Sequence, residues 1–399
     1  MREYIARLAE NSLPKAGKVK SGRTPHAVGL IVAATFILLA FSGCDNTFSV
    51  FQTISQEEKQ IGADLFKNTT VRAMADDSSN YYALLGQVVW RPKSTTSEGS
   101  WDVFSVNGST DYFAAGLAGD GTNIYVAKAD KNNVLDDIYT TSDSGSSWTA
   151  MGAVTDIGSD AFVDWLKCAN NTLFVAVHNS ASKYSLFYYD GSSFVSAGAA
   201  VSGIDAPLVD ILYDGSSSYW LVSDSKVYKG TTLGAIAEDS TASNPDYDRY
   251  LLGVASDGAG RVIVSRKDGY IYSYASSVWT PIQIKSSTKL GPVFFLTQPA
   301  STPRILIGKG VSSYGYMEYN ESTPTLKENG SSFISTSSSI YYSTMLSKQV
   351  QAFWQPVNEY DATKKTLFIL LASGGTDTYA LYRNDYTIST GSWSGWTAE

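Results

Sequence analysis

From about residue 70 onward, no stretch of the chain repeats its apolar residues every three or four positions. Short runs of β-branched and aromatic residues alternate instead with clusters of Gly, Ser, Asn and Asp, the pattern of strands and tight turns. Seven runs are almost continuously apolar: 81–85, 123–127, 172–177, 219–222, 261–264, 304–307 and 366–371. An unbroken apolar run of this length reads as a strand covered on both faces. Six of the seven are followed by a tyrosine-bearing run: 137–140, 186–189, 226–229, 270–274, 314–319 and 379–382. The centres of the apolar runs lie about 42 to 49 residues apart, with one last interval of about 63.

A period in the forties with four strands per unit predicts an all-β fold, a β-propeller of four-stranded blades. The physical reason is that one blade cannot cover both of its faces, whereas a closed ring of blades covers all of them. We count seven units, the last enlarged by an insertion around 330–350; six or eight also fit the spacing. The propeller is assigned to 70–399.

Ahead of it the grammar changes. Ile54, Ile61 and Leu65 share one helical face, and Ser55 followed by Glu58 has capping-box spacing. This predicts one short helix over 55–67, in a capping segment 55–69. Residues 27–43 are apolar and follow the basic Lys15, Lys18, Lys20 and Arg23, the order of a signal peptide. A retained membrane span is the alternative, but about 17 residues is marginal for one. The run ends in Phe41-Ser42-Gly43-Cys44. This resembles the lipobox of bacterial lipoproteins, in a relaxed, spirochaete-like form with Phe41 where Leu is usual. The resemblance implies a signal peptide over 1–43, a lipid on Cys44, a tether over 44–54, and membrane anchoring in the cell envelope. Whether the anchor faces the periplasm or the surface stays open.

The formal charge is -8; residues 1–43 carry six Lys/Arg against two Glu, so the rest of the chain stands at -12. A body this acidic repels phosphate backbones and argues against nucleic-acid partners. With Cys44 lipidated, Cys168 has no intramolecular partner, and it reads as a small buried hydrophobe.

The run Thr141-Ser-Asp143-Ser-Gly145-Ser-Ser-Trp148 resembles the Asp-box of the propellers found in sialidases, sortilin-type receptors and photosystem assembly factors. Looser copies stand at Asp190–Phe194, Ser276–Trp279, Glu98–Trp101 and Gly391–Trp393. The resemblance implies that Thr141, Asp143, Gly145 and Trp148 shape a hairpin between the last two strands of a blade, in a structural role. It also raises a sialidase-like enzyme, which grips a carboxylate with three arginines. Arg72, Arg91, Arg249, Arg261, Arg266, Arg304 and Arg383 are available, but the Phe-Arg-Ile-Pro motif is absent.

Other chemistry finds little footing. Asp246, Asp248 and Glu359 are loop carboxylates whose ordinary role is solvation. His178, at a strand end, reads as a satisfied or exposed side chain, since triad logic needs partners. Asp130, Asp136 and Asp137 lack EF-hand spacing. No metal and no cofactor is expected. The expectation is a non-enzymatic binding or scaffold module that presents a loop face to a protein or glycan ligand; the alternative is a glycan-active enzyme of sialidase-like type.

Overall fold

All seven apolar runs become the second strand of an antiparallel sheet, four-stranded in six cases and carrying a fifth short strand in the last. The computed structural model describes residues 65–399 apart from 68, 96–99, 153, 155–159, 247–250, 286–287, 299, 301–302, 310–314, 329–347 and 373–378. The signal segment, Cys44, the tether and most of the expected helix lie outside the described residues. At that helix's end, Leu65 and Phe66 are buried in a turn and Lys67 forms a β-bridge with Tyr379.

Each blade takes its four strands consecutively from the chain. The first strands are Ala73–Asp76, Phe113–Gly119, Phe162–Ala169, Leu208–Tyr213, Leu251–Ser256, Leu290–Leu296 and Val350–Trp354. They pack side by side from blade to blade and form the inner wall. The second strands are Asn80–Leu84, Ile124–Ala129, Thr172–His178, Tyr219–Ser223, Val262–Arg266, Arg304–Lys309 and Lys364–Leu371. The expected count of seven holds, and the chain folds as a seven-bladed β-propeller. The last blade carries an additional pairing, Tyr382 with Ala398 and Arg383 with Thr397.

The core consists of seven clusters, one between each pair of neighbouring blades. Tyr82, Leu84, Phe104, Leu117 and Val126 fill the space between blades 1 and 2. Trp220, Val222, Val264 and Trp279 do so between blades 4 and 5. The seventh cluster closes the ring, with Tyr81, Ala83 and Trp101 of blade 1 against Phe368, Leu370 and Leu381 of blade 7. The second strands are unbroken apolar runs because a cluster covers each of their faces. Removing several methylenes from such a site, as in Leu306→Ala, is expected to cost about 2–5 kcal/mol.

The seam between blades 7 and 1 is also tied by polar groups. The Asp76 carboxylate accepts from the backbone N–H of Val357 and of Asn358, both at 2.9 Å, and from Lys93 Nζ at 2.7 Å. The Asn358 amide reaches further and donates to the Gly121 carbonyl of blade 2 at 2.6 Å. One loop of blade 7 thus straps three blades together. Lys93 and Asp76 are buried. So are Arg91 and Glu399, which pair at 2.8 Å across the same seam.

Candidate functional site

Antiparallel strands send their connections alternately to the two ends of a blade. One end holds the loops from second to third strand and from each blade to the next; we call it the mouth. The turn end holds the other two loops.

Near its start at the mouth, the inner strand of blades 2 to 7 carries an extra residue. In blade 2, Ala114 opposes Lys128 and Gly116 opposes Ala127, leaving Ala115 unopposed. Blades 3, 4, 5 and 7 repeat this with Asp164, Val209, Leu252 and Gln351. Blade 6 sets Gly291 and Pro292 against Gly308. In blade 1 the N–H of Arg72 donates to Leu84 O at 2.9 Å, although Leu84 already pairs with Ala73. An extra residue in an antiparallel ladder bends the strand and redirects a side chain, and such bulges concentrate at barrel rims and binding sites. Here they form a ring around the channel mouth. Arg72 and Gln351 are exposed there, and Asp164, Val209, Leu252 and Pro292 are half-buried.

The described inner strands hold only four charged residues: Asp76, Asp164, Lys167 and Asp210. Asp76 belongs to the seam. Lys167 and Asp210 form an ion pair at 2.5 Å that bridges blades 3 and 4. Beside it, Trp165 Nε1 donates to Leu208 O at 2.9 Å across the same gap. Most of the rest of the half-buried wall is apolar, including Leu212, Phe294 and Trp354.

Asp164 meets His178, its Oδ1 lying 2.9 Å from Nδ1. The histidine ring stacks on Phe162 at 5.1 Å and 18°, with Tyr184 on its other side at 5.3 Å. The second oxygen of Asp164 is buried and accepts no hydrogen bond among the described residues. Burial pushes the Asp164 carboxyl above its usual range, against the opposing pull of His178. His178 is thus hydrogen-bonded at Nδ1, and its partner is a carboxylate that the sequence did not point to. A separation of 14 residues gives no motif; the signal would have been the hairpin pairing itself.

Two of the arginines, Arg91 and Arg383, come together beside Glu399 at the seam between blades 7 and 1. Arg91, Arg261, Arg266 and Arg383 are committed to Glu399, Glu321, Asp268 and Asp385 respectively. Arg304 is buried at the start of blade 6's second strand, and Arg72 is exposed at the mouth. Arg249 lies outside the described residues. The loop carboxylates are separated. Asp246, on the connection from blade 4 to blade 5, accepts from Val227 N at 2.9 Å. Glu359, on the turn between the first two strands of blade 7, accepts from Thr366 N at 2.8 Å. Those connections lie at opposite ends of the strands, and Asp248 is outside the described residues. Burial raises both the Asp246 and the Glu359 carboxyls. Cys168 is half-buried, and burial raises its thiol. No group of three His, Cys, Asp or Glu fit to hold a metal occurs among the described residues.

The turn end is built for rigidity. Asp77 accepts from the N–H of Ser79 and Asn80, both at 2.7 Å, and from the Tyr82 hydroxyl at 2.6 Å. Asp120 does the same with Thr122, Asn123 and Tyr125. Asp214 takes the amides of Ser216, Ser217 and Ser218 and the indole N–H of Trp220 at 3.1 Å. Burial raises these carboxyls, but the donors outweigh it and hold all three below the usual range. The Thr141–Trp148 turn joins this network. The Thr141 hydroxyl donates to Asp143 Oδ1 at 2.7 Å, Ser147 N donates to the same oxygen at 2.9 Å, and Gly145 N donates to Thr141 Oγ1 at 3.0 Å. The Ser147 donors, then Thr141, bring Asp143 down to about 2. Gly145 has a φ of +88°, and a Cβ there would lie 2.7 Å from the Phe104 ring, against which Trp148 packs at 5.5 Å. Ser144 Oγ donates to Asp77 at 2.8 Å, so the turn fastens blade 2 to blade 1. All four residues act in packing and turn formation.

No protein-family model and no curated protein sequence matches the chain. Solved structures do. YCF48 bound to D1 peptide is similar over 77% of this chain and 90% of its own, at 12% identity and a TM-score of 0.52. An ancestral GH74 enzyme matches over 84% of this chain at 13% identity and a TM-score of 0.58. The GH74 xyloglucanase from Xanthomonas campestris matches over 84% at 11% identity and 0.56. The chain spans 47% and 55% of those two GH74 enzymes, about half their length. At such identities the likeness concerns the fold, and it agrees with the blade order above: the chain is a β-propeller.

Proposed function

We propose that this chain is a lipid-anchored binding module of the cell envelope, held to a membrane through Cys44, whose channel mouth receives a peptide segment of a partner protein. The observation that carries this reading is the ring of bulges. Six blades carry such a bulge at one rim, and of the half-buried residues placed there Val209, Leu252 and Pro292 are apolar. A rim of that character suits side-chain burial, with polar groups at a few points fixing orientation. A neighbour of the same fold is solved bound to a peptide. The Phe41-Ser42-Gly43-Cys44 segment supports the anchor.

The test is a photo-crosslinking amino acid, benzoylphenylalanine, placed at Leu252 in the native envelope. The reading expects a discrete protein adduct, absent when the same probe replaces the exposed Val278 on the outer strand of blade 5. Equal labelling from both positions would count against a mouth site.

The GH74 neighbours support the second reading, a glycan-active enzyme. The binding reading expects no reducing sugar from a polysaccharide panel. Release that disappears in Asp210→Asn would replace it.

A further inference from the structure

Among the half-buried members of the ring, Val209, Leu252 and Pro292 are apolar, and Asp164 alone is charged. At the equivalent place the other blades put Ala115, Val209, Leu252 and Pro292, with Arg72 and Gln351 exposed. Blade 3 puts Asp164 there, half-buried, and sets a histidine across from it on the next strand. Packing does not need this pair, because apolar residues do the same structural work in neighbouring blades. The pair also carries a cost, since Asp164 keeps one oxygen buried without a donor among the described residues. A polar pair that takes the place of half-buried apolar residues at such a cost marks a site rather than a support.

We propose that Asp164 holds His178 with Nδ1 protonated and Nε2 presented as the hydrogen-bond acceptor for a backbone N–H of the peptide bound at the mouth. The proton on one ring nitrogen is set by the hydrogen bond that nitrogen makes. Oδ1 of Asp164 at 2.9 Å from Nδ1 therefore leaves the lone pair on Nε2. Phe162 and Tyr184 flank the ring across the two adjoining strands, so it cannot turn without unstacking. The charged groups around it are few. Asp224 of blade 4 acts electrostatically on Tyr184, as does Asp164. Lys183, on the neighbouring loop, is paired with Asp205 at 2.5 Å. His178 is the ligand contact and Asp164 a positioning residue.

This rests on the peptide-binding reading and sharpens it. The test has two arms, both on the full chain, which has two histidines, His26 and His178. In the first, ¹⁵N-labelled histidine is examined by NMR at neutral pH, with His178 assigned by its loss in His178→Gln. The expected ring is protonated on Nδ1, becoming a mixture of tautomers in Asp164→Asn. A ring protonated on Nε2, or one indifferent to Asp164→Asn, overturns the proposal. In the second arm, the Leu252 crosslink is repeated in both variants, and adduct yield is expected to fall at least tenfold in His178→Gln and several-fold in Asp164→Asn. An adduct that survives His178→Gln at full yield overturns this inference and leaves the mouth reading standing. No adduct from the unaltered chain removes both.

Discussion

Asp214 shows how much one carboxylate organises. Three consecutive amides and an indole N–H converge on it, and the side chain it orients, Trp220, is a centre of the cluster between blades 4 and 5. Asp214→Ala would leave four donors without their acceptor, and a cost of about 2–4 kcal/mol is expected, read by urea unfolding followed through tryptophan fluorescence. Asp214→Asn keeps one acceptor oxygen and is expected to cost less. The same donors set the acid limit of the fold. Asp77, Asp120, Asp143 and Asp214 are all held below the usual carboxylate range, Asp143 at about 2. A carboxyl depressed on folding contributes its full stability above its unfolded value of about 4 and loses it as pH falls through the folded value. Stability in urea is therefore expected to be level near neutrality and to decline below about pH 4. A midpoint that stays constant down to pH 2.5 would contradict this. These turns were partly legible in the sequence: Asp77-x-x-Asn80-x-Tyr82 and Asp120-x-x-Asn123-x-Tyr125 share one spacing 43 residues apart. What spacing does not reveal is that the hydroxyl at its end closes back onto the first residue.

At the level of elements, the second strands announced themselves because both faces of each are covered, so the apolar run needs no alternation. The inner strands did not. Their bulges break the two-residue period, and their sequences have little in common beyond small and apolar residues. The strap of blade 7 was equally hidden, since residues 357–358 gain meaning only once blades 1 and 2 arrive beside them. Asp76→Ala would leave the buried Lys93 without its counter-charge, and about 3–5 kcal/mol is expected to be lost. Hydrogen exchange should then quicken first at the seam, in 73–92 and 364–387. Uniform acceleration in all blades would show that the strap is not a local tie. The outer strands carry a further element of control. Six are two or three residues long, but that of blade 5 runs over Val278–Gln283. Ile284 N donates inward to Gly269 O, so the odd-numbered N–H groups of this strand point away from the sheet. Pro281 removes one of them, and proline on an edge is a known guard against edge pairing. Pro281→Thr should raise concentration-dependent light scattering with little change in the unfolding midpoint.

For the whole molecule, the segment before blade 1 reaches across to blade 7: Lys67 bridges Tyr379, and Ala380 N donates to Phe66 O at 2.8 Å. Closure rests on the seventh cluster, the strap and the Arg91–Glu399 pair. The anchoring proposal belongs to this scale as well. Two acyl chains on Cys44 would give stable attachment where one would not. Cys44→Ser is expected to move the protein from the membrane fraction to the soluble one, without altering its circular dichroism. A variant that stays with the membrane would favour a retained apolar span over a lipid. The period of the repeat made the architecture legible, but the mouth was not, because its members come from seven blades and are related by register alone.

That register has one more consequence. A residue in a paired position answers to the side chain across from it, whereas a bulge residue faces no counterpart. Arg, Ala, Asp, Val, Leu, Pro with Gly, and Gln therefore occupy equivalent places while the strands around them keep one pattern. The rim's open positions, such as Leu252 and Gln351, work as dials on a fixed instrument face: each can be set to a new charge or size, so recognition can be rewritten without rewriting the fold.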